Sequence, residues 1–302
     1  MSTRKITLHP FAGPDWQSAI EALAGLGAGG MQQSATYGAV ARALGRQVAQ
    51  IEIRAAGACI GLVQMIARKR LWLISRGPVF APGVAPDIQR AALRALARRV
   101  GVVIATPGAD MSGFGLIPLI SARHHAIWSL DRTPAELRAG LAGKWRNRLA
   151  GAERVGLRLH VERDIDWILR ADQAQQTARG YRALPAGFTR AWAAQACVDL
   201  RAWRIEDDAR QRLAGVIVLR HGAGASYHIG WSGAQGRRVG AHNVGLWQAA
   251  LWLRDQGVTR FDLGDVNSEE GAGRMHFKLG TGAQPQALGA TYWVVPNSGS
   301  LA

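Results

Sequence analysis

RLAGVIVLRHGAGASYHIGWSGAQGRRVGAHNVGLWQAALWLRDQGVTRFDLG, residues 212–264, decides the fold class. The apolar runs RLAGVIVLRH and ASYHIGWSG read as two strands. The stretch AHNVGLWQAALWLRDQ carries Val244, Trp247 and Leu251 at helical spacing, the mark of an amphipathic helix. Gly257 ends that helix before a further strand, VTRFDLG, as glycine does past many helix C-termini. The first half of the chain spells the same unit: ACIGLVQMIA and RLWLISRGPVF as strands, PDIQRAALRALARR as a helix with Ile88, Ala92 and Leu96 in register, then Gly101 and the strand VVIAT. Gly61 to Gly101 and Gly215 to Gly257 are nearly equally spaced. A hairpin–helix–strand unit written twice predicts an α/β protein of two tandem domains, each a mixed sheet flanked by helices.

Between the halves lies TPAELRAGLAGKWRNRLAGAERVG. Thr133 followed by Glu136 is a capping-box signature, with Pro134 in the first turn. Leu137, Leu141, Trp145 and Leu149 make one apolar stripe, and Arg138, Lys144, Arg146, Arg148 and Arg154 lie mostly off it. Such a basic set is either a phosphate track or the solvated face of an amphipathic helix, and the second reading is preferred. The boundary falls in this region, giving domains of residues 1–145 and 146–302.

A chain of 302 residues, 48% hydrophobic and 19% charged, can bury real cores and is not disordered. Its formal charge of +16 predicts attraction to polyanions: RNA, an anionic membrane surface or phosphate-bearing small molecules. No RNP-type aromatic run, GXXG clamp or zinc knuckle accompanies that charge, and no stable DNA binding is expected. Cys59 and Cys197 are far apart and lack ligand spacing, which argues against a zinc site or disulfide framework, and no metal is expected. MSTRKITLHPF has no apolar stretch suited to a signal peptide. The tract from Val100 to Ile120 is broken by Asp110, prolines and glycines, unlike a membrane span. A cytoplasmic protein is the expectation.

SGAQGRRVGAHN, between the second hairpin and its helix, reads as a loop of small and basic residues. A helix N-terminus leaves outward-facing amides there, so Arg237, Arg238 and Gly240 are candidate donor-phosphate ligands. The matching FAPGVAP of the first half has no basic residue. GRRVGAH resembles the acyl-CoA loop of GNAT acetyltransferases, Arg/Gln-x-x-Gly-x-Gly/Ala; Arg237 and Gly240 fit it, and His242 stands where a small residue belongs.

A broader resemblance is to the FemABX-like family, whose members look like two GNAT domains in tandem. QQSATYGAVARALG is similar to its opening helix, RGPVF to its Arg-Gly-Pro signature, and KWRNRLAGAERVGLRLHV to its basic Trp/Arg helix. QTARGY resembles its Thr-Ala-x-Arg-Asp-Gly element without the Asp, and RFDLGDVN with HFKLGTG its closing Asp-aromatic-Gly-Gly and Phe-Lys pair. Where that family holds a lysine toward a precursor nucleotide, this chain has Ala41 and Arg42. The resemblance implies aminoacyl transfer from aminoacyl-tRNA to an amine acceptor, on a peptidoglycan-type or other cell-envelope precursor at the inner membrane face, or on another lipid, sugar, peptide or protein. It implies no tightly bound cofactor, with aminoacyl-tRNA or acyl-CoA as co-substrate. The rivals are an acyl-CoA-dependent GNAT N-acyltransferase and a non-catalytic anion-binding module.

Acyl transfer to an amine needs a neutral nucleophile near the carbonyl, a destination for its proton, and positive charge at the developing oxyanion. Only four of the 37 basic residues are lysines: Lys5, Lys69, Lys144 and Lys278. Lys278, expected on a strand and pointing away from Phe277, is the candidate for the oxyanion; its alternative is a stem packed on the sheet with its ammonium in water. The resemblance gives it the same role, with Phe277 as an aromatic wall. Asp262 is the candidate proton acceptor, alongside Asp265, His228 and His276; for each, a structural role is the preferred alternative. Tyr227 is placed to bond substrate or fill the sheet. Arg179, matching the family's arginine, is assigned to a phosphate or carboxylate. Arg76 is positioned either to line a cleft between the halves, where the substrate is expected, or to brace its turn.

Overall fold

The computed structural model describes residues 5–266 and 271–296. The chain forms two compact units: Met1–His124 with Ala287–Ala302, and His125–Gln286. Strands and helices are numbered along the chain.

The first unit holds β1 (Ile6–Pro10), β2 (Val48–Ala55), β3 (Ala58–Arg68), β4 (Leu71–Ser75), β5 (Val79–Phe80), β6 (Val102–Thr106), β7 (Leu116–Ile120) and the final strand β15 (Thr291–Val294). Their order is β1-β2-β3-β4-β6-β15-β7, with β5 on β3. Helices α1 (Trp16–Ala24), α2 (Ala35–Ala43) and α3 (Pro86–Val100) complete the unit. Ala92 and Leu96 of the predicted stripe are buried on α3 with Val63, Ile74, Val103 and Tyr292 of the sheet, joined by Leu93 and Ala97, while Ile88 is half-buried.

The second unit holds β8 (His124–Ser129), β9 (Arg158–Val161), β10 (Leu200–Glu206), β11 (Arg212–His221), β12 (Gly224–Ser232), β13 (Arg260–Val266) and β14 (Gln284–Ala287), in the order β14-β8-β13-β12-β11-β10-β9. Its helices are α4 (Pro134–Ala139), α5 (Gly143–Arg154), α6 (Asp166–Arg179), α7 (Ala186–Gln195), α8 (Ala234–Val239), α9 (Ala241–Asp255) and α10 (Ala272–Leu279). α9 packs on β10 and β11, and α6 on β12. With helices on both faces, β11 is buried throughout Leu213–Leu219, which is why it reads as one apolar run.

The duplicated unit is present. Hairpin β3–β4, helix α3 and strand β6, which pairs parallel with β4, match hairpin β11–β12, helix α9 and strand β13, which pairs parallel with β12. The capping box also forms: Glu136 N donates to Thr133 Oγ1 at 3.3 Å and Thr133 N to Glu136 Oε2 at 2.8 Å. Leu137, Leu141, Trp145 and Leu149 are all buried, but on two helices, because the chain turns at Gly140 between α4 and α5.

Three expectations give way. The division expected between residues 145 and 146 falls inside α5, within the second unit; and residues 287–296 return to the first unit, where β15 lies between β6 and β7. SGAQGRRVGAHN is the helix α8 and the first residues of α9, not a loop: Gly236 lies so close to Leu213 that a Cβ would sit 2.0 Å from its carbonyl oxygen. Lys278 is on helix α10, not on a strand. MHFKL fits both periods, since Phe277 and Leu279 alternate while Met275 and Leu279 are a helical turn apart. In the fold α10 packs beside β13, and helical backbone bonds such as Gly280 N to His276 O at 2.9 Å satisfy it.

Candidate active site

Among the described residues, strands β12 and β13 pair through Gly224–Ser226 and Arg260–Asp262. Beyond that point β12 carries a bulge at His228 against β11, and bulges bend a strand and end its pairing. Past the bulge, β12 helps form a pocket of about 410 Å³. Every lining residue belongs to the second unit.

Five helices and the free end of β12 build it. Arg148 comes from α5, Gln175 and Arg179 from α6, Tyr227, Gly230 and Ser232 from β12, and Gly236 and Arg237 from α8. Gly240, His242 and Asn243 bring the N-terminus of α9, and Gly273, Arg274, Phe277 and Lys278 bring α10. Gly240 is left-handed (φ 75°) and α9 has no side-chain cap, so its first-turn amides and positive dipole end lie at the pocket. Five cationic side chains line the space, and no Asp or Glu among the described residues does. A pocket of that composition attracts a phosphate-bearing ligand.

Lys278 is half-buried, and its Nζ donates to the carbonyl of Asp265 at 2.6 Å. Burial lowers its pKa to about 8; Asp265 and Asp262 oppose the shift and Arg274 adds to it. The ammonium is therefore still mostly protonated at neutral pH, held in place and poorly solvated, as an oxyanion ligand should be. Phe277 lies beside it, its ring 5.3 Å from that of His242 and 5.9 Å from that of Trp145.

Tyr227 Oη and His242 Nε2 share a hydrogen bond of 2.8 Å. Burial raises the Tyr227 pKa, with the charge of Asp172 adding to the effect, so the phenol stays protonated. Burial lowers the His242 pKa to about 4, against a smaller opposing contribution from the Trp231 backbone, so the imidazole is neutral at pH 7. A Cβ on Gly230 would lie 1.5 Å from Tyr227 Oη and 2.7 Å from His242 Cε1. Glycine there is what allows the pair to exist.

Of the residues singled out in the sequence, Lys278, Phe277, Tyr227, Arg179, Arg237 and Gly240 meet in this pocket. Asp262 does not line it. Its Oδ1 accepts from Gly264 N at 2.7 Å and lies 2.9 Å from His125 Nδ1, so it holds the left-handed turn at Gly264 (φ 82°). Arg238 Nε binds Gln235 Oε1 on its own helix at 3.0 Å and is likewise absent from the lining. Arg76 belongs to the first unit, where its side chain packs against Gly30. His228 is half-buried, its Nε2 2.7 Å from Thr189 Oγ1, and burial of the ring lowers its pKa to about 4. His276 is exposed and bonds Ala272 O at 2.7 Å. Sequence reasoning missed Arg148, Arg274 and His242 as pocket residues. The departure of His242 from the Gly/Ala position was a usable signal; Arg148 looked like one more solvated charge. Among the described residues no cluster of His, Cys, Asp or Glu is arranged to hold a metal.

Residues 138–279 match the family described as Acetyltransferase (GNAT) domain. The matched stretch lies within the second unit and spans most of it. The whole chain superposes on FemX with a TM-score of 0.76 at 13% identity, covering 96% of this chain and 97% of that one. A tandem GNAT protein from the clavulanic acid biosynthesis pathway gives 0.55 at 15% identity, covering 96% and 98%. The C-terminal domain of a putative lysylphosphatidylglycerol synthetase from Agrobacterium fabrum gives 0.55 at 16%, covering 89% of each chain. No curated protein matches by sequence. In fold the chain is similar to these tandem-GNAT structures, with the mixed α/β units that the resemblance implies.

Proposed function

We propose that the protein is an acyltransferase that moves an aminoacyl group from aminoacyl-tRNA to an amine. The observation that carries this reading is the pocket of the second unit. Five cations and no described acid surround it at a helix N-terminus, and one of them is an ammonium whose pKa is lowered to about 8. The terminal phosphates and ribose of a charged tRNA suit Arg148, Arg179, Arg237 and the amides of α9. The ester carbonyl then faces Lys278. As the neutral amine attacks, a C–N bond forms and the carbonyl oxygen becomes negative, where the ammonium meets it. The ester C–O bond breaks next, and the proton given up by the amine passes through water to the departing ribose oxygen, beside the protonated Tyr227 hydroxyl. His242 holds the phenol in position and fills the place that a small residue takes in an acyl-CoA loop, which favours tRNA over CoA as donor.

The acceptor belongs to the same proposal: a peptidoglycan-type precursor or another cell-envelope amine, met from the cytoplasm. Among the described residues no helix is long and apolar enough to cross a membrane.

A donor screen tests the reading. Purified protein is incubated with radiolabelled aminoacyl-tRNAs or acyl-CoAs and a small-molecule and lipid extract as acceptor source. Label moving from tRNA into an alkali-stable amide, and failing to move with Lys278→Ala, supports it. Thiol release from acyl-CoA without tRNA turnover assigns the CoA-dependent reaction instead. If no donor is deacylated faster than in buffer, the transferase reading fails.

A further inference from the structure

One sheet face of the first unit is apolar and open. The strand registers align Ile66 with Leu73, Leu73 with Ile104, Ile104 with Trp293, and Trp293 with Ile117. Directly paired residues of neighbouring strands point to the same face, so these five side chains form one row across β3, β4, β6, β15 and β7. The row is about 20 Å wide at the usual strand spacing. One pair further along, Leu71 is aligned with Val102 and with Arg68. At the opposite end the same face is closed, because Gln64 is buried under Gln33, which donates to Gln64 O at 3.1 Å. At the open end Val102 is 46%, Trp293 43% and Ile117 44% exposed. Apolar side chains of this size, contiguous and half in water, mark a surface that something covers.

The rim identifies what. Arg68, Lys69 and Arg70 are consecutive and all exposed at the β3–β4 turn, beside Leu71 and Val102. The first unit carries 14 Lys and Arg against five Asp and Glu. A second copy docked on this face would meet the same positive rim and the same charge excess. A nucleic acid would find phosphate partners at the turn and none along the row. An anionic bilayer surface offers both halves: headgroups for the three cations, and an interfacial layer where Trp and aliphatic side chains are stable.

We propose that this face of the first unit, the row from Ile66 to Ile117 with the Arg68–Lys69–Arg70 turn, docks on an anionic lipid surface without spanning it. Each cation at such a surface contributes about 1 kcal/mol, so three give a preference for anionic over neutral vesicles of roughly 100-fold.

The test is co-sedimentation of the full chain with vesicles of phosphatidylcholine alone or with three parts in ten of phosphatidylglycerol. Binding to the anionic vesicles is expected, weakened by salt. It should be lost in Ile117→Ser/Trp293→Ser and, separately, in Arg68→Glu/Lys69→Glu/Arg70→Glu. All the substituted side chains are exposed, and unchanged circular dichroism and unfolding midpoints would show that both variants fold. The proposal is overturned if the parent protein stays in the supernatant, or if both variants sediment as it does. It is equally overturned if sedimentation velocity shows a dimer that Ile117→Ser/Trp293→Ser dissociates, or if that variant abolishes binding of bulk tRNA while vesicle binding is absent. Transfer activity is not the readout, so failure here leaves the proposed reaction standing, and failure of the reaction leaves this test intact.

Discussion

Replacing Lys278 by methionine keeps the length of the side chain on α10 and removes its charge. The ammonium is positioned by one bond to the Asp265 carbonyl, and of the other pocket cations only Arg274, one turn earlier, shares its helix. Loss of one preorganised donor to an oxyanion costs about 2.7–4 kcal/mol, or 10²–10³ in rate. The pH dependence adds an independent signature. With a pKa of about 8, roughly nine-tenths of the protein carries the ammonium at pH 7 and about one-tenth at pH 9. Divided by the fraction of acceptor amine that is neutral, the parent rate should therefore be flat below pH 8 and fall tenfold per unit above it. In Lys278→Met that alkaline limb should vanish along with most of the rate. Single-turnover transfer from a purified acyl donor, followed from pH 6 to 9.5, measures both. A loss smaller than about fivefold, or an alkaline limb that persists in the variant, would refute the role given to this nitrogen.

The remaining predictions concern the rest of the pocket and the core. Gly230→Ala should push Tyr227 off His242, since the new Cβ would overlap its hydroxyl, and a displacement of that size costs about 100-fold in rate with little change in the unfolding midpoint. Arg148→Ala should raise the donor KM and reduce the salt dependence of donor binding, leaving single-turnover chemistry at saturation nearly unchanged. His242→Gly, which restores a small residue at that position, should raise thiol release from acetyl-CoA about tenfold, read with a thiol reagent. Leu149→Ala, at a fully buried position on α5, should destabilise the protein by about 2–5 kcal/mol in a denaturant titration.

The division of labour between sequence and fold follows from the range of the interactions. The duplicated hairpin–helix–strand, the Thr133–Glu136 box and the stripe Leu137–Leu149 were legible because each depends on residues within a few turns of one another: hydrogen bonds of a cap, or the burial of one face at a fixed period. The Lys278 segment was not, because MHFKL suits either period and its state was fixed by packing against β13, a contact outside the segment. The chain alone determined two α/β halves with a basic surface and a lysine worth attention near the end. Only the tertiary structure decided that Arg148, Arg179, Arg237, Arg274 and Lys278 share one pocket, that Asp262 serves a turn and not the pocket, and that β15 returns to the first sheet. Those outcomes rest on burial and on contacts between residues tens to hundreds of positions apart. Side-chain chemistry is written locally, but the solvation that lowers the pKa of Lys278 exists only once the chain has closed around it.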